Sequence, residues 1–147
     1  AHIALEYVLA RVPEVDPRAI YAAGHSSAAS VAFTVAANEP RVAGVIAYAP
    51  RVDYLAGLAS LDARERRRLS SFSRLISPLH NAPKVRQPVF LFQAKDDPRC
   101  PYEEALALEA TLRRTNPAVT FEVVDTGGHS DSMLEQGIPA AIRWLQE

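Results

Sequence analysis

Ile20-Tyr21-Ala22-Ala23-Gly24-His25-Ser26-Ser27-Ala28 (IYAAGHSSA) is the stretch on which the fold turns. A short apolar run, Ala19 to Ala23, has the composition of a buried strand and is bounded by Gly24. From Ser26 to Ala37 the residues are small and mostly apolar, without Gly or Pro, and predict a buried helix that Asn38-Glu39-Pro40 stops. A strand therefore runs straight into a helix through Gly-x-Ser-x-small, the pattern of a nucleophile elbow. Such a turn holds a serine hydroxyl above the sheet edge. It needs small residues two positions before and after the serine, because strand and helix backbones nearly touch there. Gly24 and Ala28 satisfy that need, and the first N–H of the helix, on Ser27, faces the place where an oxyanion would develop. An ordinary strand-to-helix turn with Ser26 as N-cap is the plainer reading of the same residues.

The pattern recurs along the chain. Ala1 to Val12 carries apolar residues near a 3.6-residue period and predicts a helix, with Pro13 and Pro17 marking its exit. Val42 to Tyr48, Val89 to Gln93 and Thr120 to Val124 are continuous apolar strands. Pro101 to Arg114 and Ile138 to Leu145 are helices. Uninterrupted apolar strands alternating with helices are what a parallel sheet covered on both faces requires. The expectation is an α/β chain with a parallel, doubly wound sheet and its strands paired in chain order, forming one domain over 1–147. Residues from about 51 to 81 break the alternation and predict a helical insertion. Its charged run, Asp62 to Arg68 (DARERRR), interleaves both signs and reads as a solvated helix face.

Composition bounds the rest. The chain of 147 residues is 48% hydrophobic and 22% charged, and 16 basic against 17 acidic side chains leave a net charge of −1. That balance argues against a nucleic-acid binder. No apolar run reaches the roughly 18 residues of a membrane span. A single cysteine, Cys100, excludes an internal disulfide and a cysteine-rich metal site. It lacks an elbow and a neighbouring base in sequence, so an inert, partly buried thiol is the expectation. There is no His-x-x-x-His or Cys-x-x-Cys pair and no Gly-rich phosphate loop, so neither a metal, a nucleotide nor any other cofactor is expected. The first residues are amphipathic and show no signal peptide, while the missing initiator Met suggests a piece of something longer; localisation stays open.

A nucleophilic serine needs a base and an acid to orient it. Gln93-Ala94-Lys95-Asp96-Asp97 sets two carboxylates just past the third strand, and Thr126-Gly127-Gly128-His129-Ser130 sets a histidine just past the fourth. In open parallel sheets, sites assemble at the C-terminal strand ends. Serine, aspartate and histidine arrive there in the chain order of an α/β-hydrolase. Asp53, after the second strand, is a further candidate acid. His25 is expected to point away from the nucleophile, and His2 and His80 to be surface or loop residues.

Three phrases carry a family resemblance: Asp16 to Ala29 (DPRAIYAAGHSSAA), Ser77-Pro78-Leu79 with Val85 to Pro101 (VRQPVFLFQAKDDPRCP), and Gly127-Gly128-His129. With the helices between them they span nearly the whole chain. The sequence resembles the catalytic domain of the prolyl-oligopeptidase-like α/β-hydrolases, a group of serine peptidases and esterases, in its C-terminal half to two-thirds. The resemblance implies Ser26 as nucleophile, His129 as general base and Asp96 as the orienting acid, chosen over Asp97 by its spacing to Pro101. It implies a serine hydrolase that cleaves a small-molecule ester or a peptide through an acyl-enzyme, without nucleic-acid or membrane partners. It also implies that the family's first strands, and the loop giving a second oxyanion donor, would precede Ala1. The alternative is a non-catalytic or truncated α/β-hydrolase-like module. In either case the strand at 19–23 becomes a sheet edge through which copies could associate.

Overall fold

A computed structural model describes residues 2–55 and 58–147. Helix α1 (His2–Arg11) leads to strand β1 (Tyr21–His25), helix α2 (Ser27–Ala36) and strand β2 (Gly44–Tyr48). Helices α3 (Ala63–Ile76) and α4 (Pro78–Asn81) follow, then strand β3 (Val89–Ala94), helix α5 (Tyr102–Arg113) and strand β4 (Val119–Val124). A π-type turn at Met133–Gly137 runs into the last helix, α6 (Ile138–Trp144). The strands form one four-stranded sheet in the order β1-β2-β3-β4, and each neighbouring pair is parallel.

Strand alternation decides which helix covers which face. Every residue of β2 and β3 is buried, as strands sandwiched between helices must be. Val45, Ala47, Val89 and Leu91 point to one side, where they pack with Ala29 and Phe33 of α2 and with Leu108 and Leu112 of α5. Ile46, Tyr48, Phe90 and Phe92 point to the other, against Ala140 and Ala141 of α6, with Trp144 at its margin. The doubly wound arrangement expected from the apolar runs is thus present. Among the described residues no helix is long and apolar enough to cross a membrane.

Two expectations shift. β1 occupies Tyr21–His25 rather than Ala19 to Ala23. The Asp16 carboxylate accepts the N–H of Arg18, and the Asp16 carbonyl accepts that of Ala19, so a local turn uses the residues before Ile20. The sheet ladder begins only where the Ile20 carbonyl accepts the N–H of Ala43. β1 is also less buried than an interior strand; Tyr21 is 39% exposed. Ala22 is small because α2 lies over it, while Ala23 faces the other side and is exposed.

The insertion expected over about 51–81 carries α3 and α4; positions 56 and 57 within it lie outside the described residues. Asp62 N-caps α3 by accepting the N–H groups of Arg64 and Glu65, and Arg64 to Arg68 are exposed to solvent. No side chain of α1 is fully buried, though Leu5, Val8 and Leu9 are half-buried. Charges fasten it as well: His2 Nδ1 lies 2.9 Å from Glu39, and Glu6 pairs with Arg41 at 2.7 Å.

Candidate active site

Ser26 stands at the junction of β1 and α2 with φ 58° and ψ −121°, a backbone conformation that a side chain rarely adopts. Holding a non-glycine residue there costs on the order of 1–3 kcal/mol, and such strain persists only where its surroundings enforce it. Here the enforcement is visible. The Ser26 N–H donates to the Tyr48 carbonyl of β2 at 2.9 Å, while the Ser26 carbonyl accepts the N–H of Ala29 at 3.2 Å and starts the helix. A Cβ placed on Gly24 would stand 2.3 Å from the Ala28 carbonyl carbon and oxygen, so no larger residue fits below the serine. The Ser26 side chain makes no capping bond to α2. The plainer N-cap reading is therefore not the geometry adopted.

The histidine loop is built by its glycines. Gly127 (φ 119°) and Gly128 (φ 58°) both take positive φ, and a Cβ on Gly127 would meet the Ser132 Cβ at 2.8 Å. The Gly127 carbonyl accepts the N–H of Ser132, and the Ser132 hydroxyl donates to the Gly128 carbonyl at 2.6 Å. This compact loop directs His129 back over the sheet edge. His25 secures it from below. Its Nε2 lies 2.7 Å from the His129 carbonyl, which can only accept, and the two rings lie tilted at 41° with centroids 4.5 Å apart. His25, expected to point away from the nucleophile, lays its ring against His129. The alternation of β1 signals this, since Gly24 faces α2 and its neighbour His25 must face the other side.

His129 pairs with Asp97, and this corrects the expectation of Asp96. The His129 Nδ1 lies 2.8 Å from Asp97 Oδ2, with side-chain exposures of 9% and 0%. Past β3 the chain turns back, the Asp97 N–H donating to the Ala94 carbonyl. That turn carries Asp97 inward and leaves Asp96 on the outer corner. Asp97 Oδ1 then accepts the N–H groups of Arg99 at 2.8 Å and Cys100 at 3.0 Å, a side-chain-capped turn that leaves Oδ2 for the histidine. Gln93 Nε2 donates to the same Oδ2 at 3.2 Å. Asp96 is exposed and grips the loop backbone, accepting the N–H of Gly127 at 3.2 Å and of Gly128 at 2.8 Å. Asp53 has a local task as well, accepting the N–H of Leu55 at 2.7 Å.

Electrostatics follow from these contacts. Burial pushes the Asp97 carboxyl up, but the His129 hydrogen bond, the two backbone N–H groups and the His129 charge together hold it below the ordinary carboxylate value. It is a charged, buried acceptor aimed at an imidazole. Cys100, 2% exposed, shares the site: it borders the cavity over Ser26, and burial followed by the Asp97 charge pushes its thiol up. Its nearness to Ser26 and His129 has no local signal in the sequence, because those residues come from the β1–α2 junction and the histidine loop. Among the described residues Ser26 makes no hydrogen bond to His129. Catalytic hydrogen bonds are commonly long until substrate arrives. A cavity of about 650 Å³ opens over Ser26, bordered by Arg51, Tyr54, Leu58, Arg99 and Cys100.

Residues 3–146 match the prolyl oligopeptidase family. The chain belongs to that family. No match was found among curated proteins. Solved structures share the fold at low identity. An esterase of Pyrococcus furiosus is 19% identical with a TM-score of 0.71 over 96% of this chain and 57% of its own. The acylaminoacyl peptidase of Pyrococcus horikoshii is 20% identical with a TM-score of 0.70, over 88% of this chain and 23% of its own. Acetyl xylan esterase 1 from Thermoanaerobacterium is 20% identical with a TM-score of 0.72, over 97% of this chain and 49% of its own. This member of the prolyl oligopeptidase family thus spans about half the length of the two esterases and about a quarter of the peptidase.

Proposed function

We propose that this chain carries the catalytic centre of a serine hydrolase that cleaves ester or amide bonds through an acyl-enzyme. The observation that carries the reading is Ser26, held at positive φ at the elbow, beside the buried Asp97–His129 pair. Asp97 fixes the imidazole with its proton on Nδ1, so Nε2 is free to act as base. As the Ser26 oxygen attacks the substrate carbonyl, His129 Nε2 takes the hydroxyl proton and then returns it to the departing alkoxide or amine. Water repeats the sequence against the acyl-serine and releases the acid. The Ser27 N–H, at the start of α2, stabilises the tetrahedral oxyanion. Asp97 remains a carboxylate throughout and stabilises the imidazolium as it forms. Small esters and peptides both fit a cavity of about 650 Å³.

The test is a fluorophosphonate probe on this chain, and on the longest natural polypeptide that carries it, with the adduct mapped by mass spectrometry. The expected adduct is on Ser26, and none forms in Ser26→Ala. An adduct on Ser27 or Ser130 with Ser26 untouched overturns the assignment. No adduct in either polypeptide favours a non-catalytic module of the same fold.

A further inference from the structure

The proposed base and its acid have a third neighbour that triad chemistry does not use. One donor atom each from Asp97, Cys100 and His129 lie within 4.8 Å of one another. Carboxylate, thiol and imidazole are the three side-chain donors of zinc sites, and a thiolate favours soft cations over magnesium or calcium. Tetrahedral zinc with ordinary bond lengths spaces such donors by about 3.3–3.6 Å, so side-chain movements of about 1 Å close the set. From these donors we infer that Asp97, Cys100 and His129 form an inhibitory site for a soft divalent cation such as Zn²⁺ or Cd²⁺. The inference rests on the proposed serine-hydrolase reading, because it makes the catalytic pair the ligands.

Three features favour the site beyond the donors themselves. Asp97 is oriented in advance, its Oδ1 held by the N–H groups of Arg99 and Cys100 while Oδ2 faces His129. Outer hydrogen bonds of this kind align a ligating carboxylate. An entry path exists, since the cavity over Ser26 is bordered by Cys100. A fourth donor borders the same cavity, since Ser26 lines it together with Cys100. On binding, the cation displaces the thiol proton to solvent and forms a metal–thiolate bond; the imidazole lends a lone pair and stays neutral. Coordination through His129 Nε2 removes the base directly. Coordination through Nδ1 moves the ring proton to Nε2, the tautomer that cannot accept from Ser26. Both outcomes stop the hydrolase while leaving the fold intact.

Cd²⁺ titration of the protein, followed by the ultraviolet absorption of the cadmium–thiolate bond, reads binding without reference to activity. One Cd²⁺ per chain is expected. Because Cys100 is the single cysteine, Cys100→Ala serves as the blank, and the decisive comparison is with the other two ligands. Asp97→Asn and His129→Gln, each verified as folded by circular dichroism, are expected to weaken binding at least tenfold. Unchanged affinity in both means that an isolated thiol binds the metal, and overturns the site. In parallel, Zn²⁺ is expected to inhibit ester hydrolysis reversibly with a chelator, and at least tenfold more tightly in the wild type than in Cys100→Ala. Equal sensitivity of the two overturns the inference and leaves the hydrolase standing. Tight Cd²⁺ binding that needs Asp97 and His129, in a protein without hydrolase activity, supports the site and removes the functional reading.

Discussion

Replacing Asp97 by Asn exchanges one oxygen for an NH₂ group at a fully buried carboxylate, and the surrounding donors leave that group nowhere good to go. With its oxygen toward the N–H groups of Arg99 and Cys100, the new amide would present NH₂ to His129 and to Gln93 Nε2. His129 would then have to accept at Nδ1 and carry its proton on Nε2. An imidazole in that tautomer cannot take the Ser26 proton. The equivalent substitution in the best-studied triad lowers kcat by about 10⁴, or about 5.5 kcal/mol of barrier. The opposite orientation sets NH₂ against two backbone donors and leaves them unsatisfied, at about 1–3 kcal/mol. The neighbouring Asp96→Asn keeps one acceptor oxygen for Gly127 or Gly128 and loses one exposed hydrogen bond, about 0.5–1.5 kcal/mol. Even if all of that reached the transition state, the loss would stay near or below tenfold. Initial rates on p-nitrophenyl acetate for the two variants, with denaturation midpoints measured alongside, separate the roles. Equal losses in both variants, or a larger loss in Asp96→Asn, would refute the assignment of Asp97 as the orienting acid.

Three further outcomes are expected. Gly24→Ala should destabilise the chain by at least about 1–3 kcal/mol in urea unfolding, because its Cβ meets the backbone of Ala28 rather than a movable side chain; an unchanged midpoint would show that strand and helix are not in close contact there. β1 is an unprotected edge strand, with Tyr21 exposed beside Trp144 and with Ile138 and Ile142 of the nearby terminal helix, and Leu145 just past it, also exposed. The 147-residue chain should therefore pair with a second copy, and Tyr21→Lys should reduce the mass seen by light scattering; a monodisperse wild-type monomer refutes this. Finally, α1 should detach in acid. The Arg41 guanidinium holds the Glu6 carboxyl of α1 below its ordinary value of 4.5, so the folded-state value is the depressed one. Its stabilising contribution is present above pH 4.5 and is lost as pH falls below that value. Amide exchange across His2–Arg11 should accelerate over that window ahead of exchange in β3, and parallel acceleration of the two would refute a charge-fastened helix.

The fold was readable because its signals are local. β2 and β3 are continuous apolar runs since both of their faces are covered. The elbow was readable for the same reason: Gly24, Ser26 and Ala28 are close in sequence, and their spacing is imposed by backbones that touch. β1 was displaced by two residues because the turn at Asp16 depends on a side-chain bond to Arg18, which competes with strand propensity and leaves no periodic trace.

Which carboxylate pairs with His129 is illegible in the sequence for a different reason. Asp96 and Asp97 are adjacent, chemically identical and both past the end of β3, so composition, periodicity and strand-end logic treat them alike. The distinction is made by one turn. The Asp97 N–H bonding back to Ala94 points the Asp97 side chain inward, and Arg99 and Cys100 then offer their N–H groups to Oδ1. A local clue was present in Asp97-Pro98-Arg99. The residue before a proline is kept out of the helical region, and an aspartate there can cap the N–H two positions on. Together these mark Asp97 as the residue whose side chain closes the turn. Asp96 carries no such mark; its work, gripping the two glycine N–H groups of the histidine loop, depends on a contact 31 and 32 residues away in sequence. Each carboxylate therefore acts on His129, Asp97 through the ring and Asp96 through the backbone that presents it. Only the first of these can set the tautomer on which the proposed chemistry depends.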